Sequence, residues 1–117
     1  MTSNAEKTII DVEFLSKIIG DDKEFERELF EIFLDNSKFN IAKLQKSVEE
    51  NDNNSWFMAA HALKGSSASI GAFNFSKKLD LAQKNSSSDT NAKTKMLEEI
   101  KSGFVEVENF ILSKIAK

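Results

Sequence analysis

The chain has no proline and no cysteine, and only four of its 117 residues are glycine. Proline and glycine usually mark the turns of β-rich folds, so their scarcity leaves long segments free to be helical. Without cysteine the chain forms neither disulfides nor thiolate metal sites, which is typical of proteins from a reducing compartment. We therefore expect an all-helical protein in the cytoplasm.

Long apolar runs and a strong charge of one sign are also missing. No segment approaches the length of a membrane span, and residues 1–7 lack the apolar core of a signal peptide. The formal net charge is −3, with both signs interspersed, so the sequence predicts no basic surface for nucleic acid or anionic lipid. The expected partner is another protein, with no nucleic acid and no membrane involved.

The size and composition indicate one soluble domain. A chain of 117 residues can bury one core, and 40% apolar with 30% charged residues is ordinary for a globular protein. We expect a single domain over residues 1–117, in which about residues 1–8 form a flexible N-terminus.

Apolar residues recur at helical spacing in four long segments, which a shorter segment precedes. Asp11 is expected to cap the short first helix, and Gly20 to end it; Asp21 and Glu24 form a capping-box-like start to the second. The predicted helices cover about residues 11–19, 21–51, 55–70 and 73–85, and a last segment after the serine-rich loop at 86–89. This pattern predicts an all-α fold, an antiparallel four-helix bundle with a short additional N-terminal helix as a lid.

Each long helix has a predicted core stripe. The stripes are Phe25, Leu29, Ile32, Phe33, Ile41, Leu44 and Val48 in the second helix; Trp56, Ala60, Leu63, Ser67 and Ile70 in the third; Phe75, Leu79 and Ala82 in the fourth; and Leu97, Ile100, Phe104, Val107 and Ile111 in the last.

The only histidine, His61, is followed by Lys64 and Gly65. Residues i, i+3 and i+4 share one face of a helix, so the lysine and the glycine lie beside the imidazole. A neutral imidazole is a nucleophile near pH 7, a lysine stabilises transferred oxygens, and a glycine leaves room for a partner. The grouping suits the transfer of a phosphoryl group.

A helical wheel places His61 about 140° from Trp56, on the solvent side of the third helix. Its neighbours on that side include Phe57, Met58 and Ala68, whereas exposed helix faces are normally charged. Gly65 also lies opposite the core stripe, so packing between helices does not explain a glycine there. The face is interpreted as a docking surface.

The segment HALKGSS at 61–67, followed by IGA at 70–72, resembles the signature of histidine-containing phosphotransfer (Hpt) domains. The acidic connection at 20–22, and Trp56 and Ala60 before the histidine, are also similar to that family. The resemblance implies a helical bundle of this size in which the reactive histidine projects from the middle of a bundle helix.

By this resemblance, His61 would accept a phosphoryl group from a receiver-domain phospho-aspartate and pass it to an aspartate of another receiver. Lys64 would stabilise the phosphoryl charge in the transition state, and Gly65 would let the receiver approach. Gln83 matches a glutamine that family members often place beside the phosphohistidine; the alternative is a polar residue that flanks the core stripe. The implied docking surface adds Ile18, Asp21, Asp22 and Phe25, of which Phe25 fits the core stripe equally well.

Two serines and a second glycine in this segment have structural interpretations. Ser66 and Ser67 fall toward the packed side of the helix, where they provide small volume and bond back to the helix backbone. Gly71 is expected to end the helix.

The sequence predicts no nucleotide site, because residues 64–67 invert the lysine and glycine of a phosphate-binding loop and lie within a helix. We expect a phosphoryl carrier with no kinase activity and no cofactor, whose partner receiver supplies the divalent metal. One histidine and no cysteine leave only carboxylates as metal ligands, so no metal site is expected on the chain. The expected partners are response-regulator receiver domains and a hybrid histidine kinase, and the chain itself is expected to be a monomer.

Alternatives to this interpretation are open. The first is a non-catalytic helical bundle that binds a protein partner through the face around His61. A dimerisation domain of a histidine kinase is disfavoured because the ATP-binding domain is missing. The sequence favours a separate protein over a fragment of a larger hybrid kinase.

Overall fold

The computed structural model describes residues 8–116, so residues 1–7 of the predicted flexible N-terminus lie outside the described residues. Within residues 8–116 the chain forms five helices and no strand. The helices are α1 (Val12–Ile19), α2 (Lys23–Glu49), α3 (Asn53–Ser69), α4 (Phe73–Lys84) and α5 (Thr90–Ile115). None of them is both long enough and apolar enough to cross a membrane, as far as the described residues go.

Aspartates cap four of the five helices. The carboxylates of Asp11, Asp22, Asp52 and Asp89 each accept a hydrogen bond from the backbone N–H three residues later, which satisfies a donor that has no partner inside the helix. The capping box predicted at Asp21 and Glu24 is wrong by one residue, because it is Asp22 that has the extended backbone of a cap and binds the Phe25 N–H at 2.9 Å.

The four long helices form an antiparallel bundle. Helix α3 packs against α2 and α4, and α5 packs against the same two helices from the other side. The guanidinium of Arg27, near the start of α2, donates to the carbonyl of Ile115, at the end of α5 (3.1 Å). These contacts confirm the predicted bundle, with neighbouring helices running in opposite directions.

Helix α1 is attached to the turn between α3 and α4. The Asp11 N–H donates to the Gly71 carbonyl (2.9 Å), and the rings of Phe14 and Phe73 meet edge to face. Gly71 has φ +85°, and a Cβ there would lie 3.0 Å from the Asp11 carbonyl oxygen. Gly71 therefore ends α3, as predicted, and also lets α1 approach.

The core stripes predicted for α3, α4 and α5 are all buried. At the centre is Trp56, which is fully buried and donates its indole N–H to the Ala82 carbonyl at 2.8 Å. This bond satisfies the only polar atom of the side chain and joins α3 to α4.

The stripe predicted for α2 is partly wrong. Phe25 and Ile32 are exposed, whereas the fully buried line runs through Phe30, Ser37 and Leu44. At 100° per residue Ile32 lies about 160° away from Phe30. Apolar residues occur on both faces of this long helix, so their spacing alone did not select the face that packs between α3 and α5. Phe33 and Leu44 are buried as predicted, and Leu29, Ile41 and Val48 pack at the edge of the core.

Candidate functional site

Helix α3 places His61 in its middle with the imidazole on the outer face. Trp56, Ala60, Leu63 and Ser67 are buried on the inner face, and His61 is exposed, as the helical wheel predicts. The burial of the stripe fixes the rotation of the helix and so the direction in which the imidazole points.

Two side chains orient the imidazole. The ring of Phe57, one turn earlier, stacks parallel to it with centroids 6.1 Å apart. From α4, Gln83 Oε1 lies 3.4 Å from His61 Nδ1. An amide oxygen only accepts, so this contact needs a proton on Nδ1, which in a neutral imidazole leaves the lone pair on Nε2. Gln83 thus lies where the resemblance implies, and a proton on Nδ1 leaves Nε2 as the ring nitrogen with a free lone pair.

Lys64 is held by α4. Its Nζ lies 2.9 Å from Oδ1 of Asp80, and Lys84 Nζ lies 2.9 Å from Oδ2 of the same carboxylate. The hydrogen bonds from Lys84 and Lys64 hold the pKa of the Asp80 carboxyl below its usual value. Ser76 Oγ donates to the Lys64 carbonyl at 3.0 Å, so the backbone of this residue is bound as well as its side chain.

The sequence analysis missed Asp80. It precedes Gln83 by three residues and follows Ser76 by four, so the three lie on one face of α4. That spacing relative to Gln83 was the signal available in the sequence. The face as a whole contacts the turn of α3 that carries His61 and Lys64.

Gly65 is exposed, and a Cβ built on it would meet no heavy atom of residues 8–116 within 4 Å, apart from its two chain neighbours and the nearby backbone of α3. Nothing packed inside the described part of the chain therefore requires a glycine here, which agrees with the argument from the helical wheel.

Ser66 and Ser67 both donate to the Leu63 carbonyl, at 3.2 and 2.7 Å, so their predicted role as backbone partners is confirmed.

Exposed apolar side chains occur on α3 near His61 and on the neighbouring helix α2. Phe57 and Met58 are exposed and Ala68 is half-buried. On α2, Phe25, Ile32 and Phe39 follow one another at seven-residue spacing and are also exposed. We call these three residues the α2 stripe. Sequence analysis missed Phe39 and assigned Ile32 to the core.

The α2 stripe lies on the α3 side of α2. Helix α2 contacts α5 through the pairs Lys38–Glu108 and Gln45–Lys101, which lie about 100° to one side of the buried line of α2. The stripe lies about 140° to 160° to the other side of that line. It therefore flanks α3 and not α5.

The remaining docking candidates lie at one end of the bundle. Ile18 and Asp21 are exposed, and Asp22 is the cap of α2. Helix α1 begins beside the α3–α4 turn, and His61 is eight residues before the end of α3, or about 12 Å along the axis. Asp22 has a structural role, and the docking role of all three stays a prediction.

The described residues contain no group of three or more His, Asp or Glu side chains that could hold a metal ion. Near His61 the structure places an ion-pair cluster of Lys64 on α3 with Asp80 and Lys84 on α4.

The neighbours Leu63 and Lys64 test the orientation of α3. Leu63 is fully buried, so we expect Leu63→Ala to lower the free energy of unfolding by about 2 to 5 kcal/mol. Lys64→Ala removes a partly exposed ion pair and should lower it by less than about 1 kcal/mol. Urea denaturation of both variants measures the difference, and a larger loss for Lys64→Ala would contradict the observed rotation of α3.

Comparison with known proteins agrees with this geometry. A family model described as Hpt domain matches residues 28–103, a range that includes His61, Lys64, Gly65 and Gln83. The crystal structure of histidine-containing phosphotransfer protein B (HptB) from Pseudomonas aeruginosa PAO1 superposes with a TM-score of 0.84 at 15% identity, covering 92% of this chain and 95% of that chain. Among curated proteins none matches the sequence. The match of the family model over more than half of the sequence shows that this chain belongs to the Hpt domain family.

Proposed function

We propose that this phosphotransfer protein carries the phosphoryl group on His61, between an aspartate of one receiver domain and an aspartate of another. The observation that supports this most directly is the environment of the imidazole. It is exposed in the middle of α3, Gln83 engages its Nδ1, and Lys64 and Gly65 follow one turn later. Hpt proteins are phosphoryl carriers of phosphorelays, and His61 is the only histidine in the chain.

The proposed chemistry uses the lone pair on Nε2. This nitrogen attacks the phosphorus of a receiver phospho-aspartate, the bond between phosphorus and the aspartyl oxygen breaks, and the carboxylate leaves with the electron pair. The proton on Nδ1 stays hydrogen-bonded to Gln83. Such a transfer depends mainly on positioning and charge stabilisation. Lys64 supplies positive charge for the phosphoryl oxygens, while the receiver supplies the reactive aspartate and a divalent metal.

The proposed protein partners are receiver domains, together with a hybrid histidine kinase that supplies the phosphoryl group. We assign the docking face to Phe57, Met58 and Ala68 of α3 and to the α2 stripe. The three α3 residues lie on the same helix as His61, and the α2 stripe adds exposed apolar area on the neighbouring helix. Soluble proteins commonly use such exposed apolar area for protein contacts. Gly65, whose Cβ position is open, lies within this face.

We further propose that the chain has no kinase activity and needs no cofactor of its own, and that it acts as a cytoplasmic monomer. Residues 64–67 are part of α3, so they do not form the loop with free backbone N–H groups that binds nucleotide phosphates. Incubation with labelled ATP alone is expected to leave the protein unlabelled.

The direct test is to incubate the purified protein with a radiolabelled phospho-receiver, drawn from a broad panel of receivers. We expect label on this protein that is lost in acid and stable in alkali, as for phosphohistidine. Absence of label with every competent donor would contradict the proposed function.

A matched pair of variants tests the docking face. Ile32 in the α2 stripe is 65% exposed, and Val105 on α5, which lines the groove between α2 and α5, is 51% exposed. Ile32→Ala removes three carbons and is expected to weaken binding of a receiver about tenfold, or about 1.4 kcal/mol. At about 0.8 kcal/mol for each buried methylene, this corresponds to a side chain that the receiver buries to rather more than half. Val105→Ala should leave it unchanged. Titration calorimetry with the receiver measures both, and equal effects would contradict the assignment of the face.

A further inference from the structure

Asp80 lies between two lysines from different helices. Lys64 of α3 binds one carboxylate oxygen and Lys84 of α4 binds the other, each at 2.9 Å. Lys64 and Asp80 are partly buried side chains, with 38% and 31% of their surface exposed, whereas Lys84 is 71% exposed. The carboxylate therefore has two cationic partners, only one of which lies next to His61 in the sequence.

The position of this cluster links it to the imidazole. Lys64 follows His61 by one turn of α3, and Gln83 follows Asp80 by one turn of α4. The Gln83–His61 and Asp80–Lys64 contacts are thus two successive contacts between the same pair of helices. Asp80 consequently holds the Lys64 ammonium on the α4 side of the histidine.

A phosphoryl group on His61 would change the balance of charges around Lys64. It would bring about two negative charges and three acceptor oxygens to within one helical turn of the ammonium. Lys64 can bind these oxygens only by leaving Asp80 or by sharing its protons with it. When Lys64 leaves, Lys84 still pairs with Asp80, so the carboxylate is not left without a cation.

We propose that Asp80 is a positioning residue, which binds Lys64 in the unphosphorylated protein and gives it up to the phosphoryl group on His61. This exchange of partners by Lys64 sets how strongly the phosphorylated imidazole is stabilised. The free energy needed to separate Lys64 from Asp80 offsets part of the attraction between Lys64 and the phosphoryl group. The proposal rests on the proposed function in one respect, that His61 is the residue that carries the phosphoryl group.

The test uses phosphoramidate, a small donor that phosphorylates imidazole without a receiver. The pKa of the phosphorylated His61 side chain, which we call the phosphoryl pKa, is then measured by ³¹P NMR titration. In Asp80→Asn the released Lys64 binds the phosphoryl oxygens more closely, and we expect the proton affinity of the phosphorylated side chain to fall about twofold to fivefold, the range of a partly exposed ion pair. Asp80→Glu should restore the wild-type value.

The decisive comparison is a double-mutant cycle. In a Lys64→Ala background, Asp80→Asn is expected to change the phosphoryl pKa much less than in the wild type, because Lys64 is absent and only Lys84, a 71% exposed side chain of α4, is left to be released. Glu50→Gln removes another carboxylate that pairs with a lysine, Lys46, and should leave the pKa unchanged. An equal shift in both backgrounds, or no shift in either, would overturn the exchange.

These outcomes separate the two proposals. A wild-type protein that phosphoramidate phosphorylates on His61 but that exchanges no phosphoryl group with receivers contradicts the proposed function alone. A protein that exchanges with receivers but shows no dependence of the phosphoryl pKa on Asp80 contradicts this inference alone. A protein that phosphoramidate does not phosphorylate on His61 also contradicts this inference.

Discussion

His61→Gln is expected to abolish transfer of label from a phospho-receiver while leaving the bundle folded. Glutamine has no ring nitrogen with a free lone pair, and the chain offers no second histidine. The side chain is exposed on the middle of α3, so its replacement should change the free energy of unfolding by no more than about 0.5 kcal/mol. The measurement is acid-labile, alkali-stable label on the wild type and on the variant, with circular dichroism as the control for folding.

The result also separates phosphoryl transfer from partner binding. If His61→Gln still accepted label, the phosphoryl group would reside elsewhere and the proposed site would be wrong. If neither protein accepted label but both bound a receiver with the same affinity, the alternative of a non-catalytic bundle that docks through this face would be supported.

Gly65→Gln is expected to reduce phosphoryl transfer from a receiver about 100-fold, because a misplacement of about 1 Å at the reacting atoms is enough for that loss. The new side chain would project into the space that the receiver occupies beside His61. The fold should tolerate it, since a Cβ on Gly65 contacts none of the described residues beyond its two chain neighbours and the nearby backbone of α3. Helix propensity even predicts a gain in stability of about 0.5 to 1 kcal/mol over glycine.

Phosphoramidate provides the control for this variant. The small donor needs no docking surface, so Gly65→Gln should be phosphorylated on His61 at about the rate of the wild type. Gly65→Ala, with one added carbon, should be stabilised similarly and lose less receiver transfer. A variant that loses reactivity with both donors would contradict a role of Gly65 in receiver approach, and a destabilised variant would contradict the open space around it.

How far the sequence predicted the structure differs from helix to helix. In α3 the stripe from Trp56 to Ile70 is clear, and the rotation derived from it placed His61 and Gly65 outside, as observed. In α2 the apolar residues occupy more than one face; Ile32 was assigned to the wrong one, and Phe25, which is exposed, fitted the core stripe and the docking surface equally well. The buried line of α2 includes Ser37. Because serine is polar, a search for regularly spaced apolar residues does not detect it.

In the candidate site, too, some residues could be placed from helical periodicity and others could not. The positions of His61, Lys64 and Gly65 relative to one another follow from the 3.6-residue period of a single helix, which is local and readable in the sequence. Gln83 was assigned through a resemblance and not through periodicity, and the structure places it 3.4 Å from the imidazole.

The sequence alone determined the local features of this protein: the helices, the aspartate caps of α1 and α2 to within a residue, and the outward direction of the imidazole. Each depends on residues within a few positions of one another, where helix geometry leaves little freedom. Only the tertiary structure decided that Asp80 binds Lys64 and that Trp56 bonds to the Ala82 carbonyl. Both contacts depend on the axial register between α3 and α4, which the turn at 70–72 and the packing of the whole core set together.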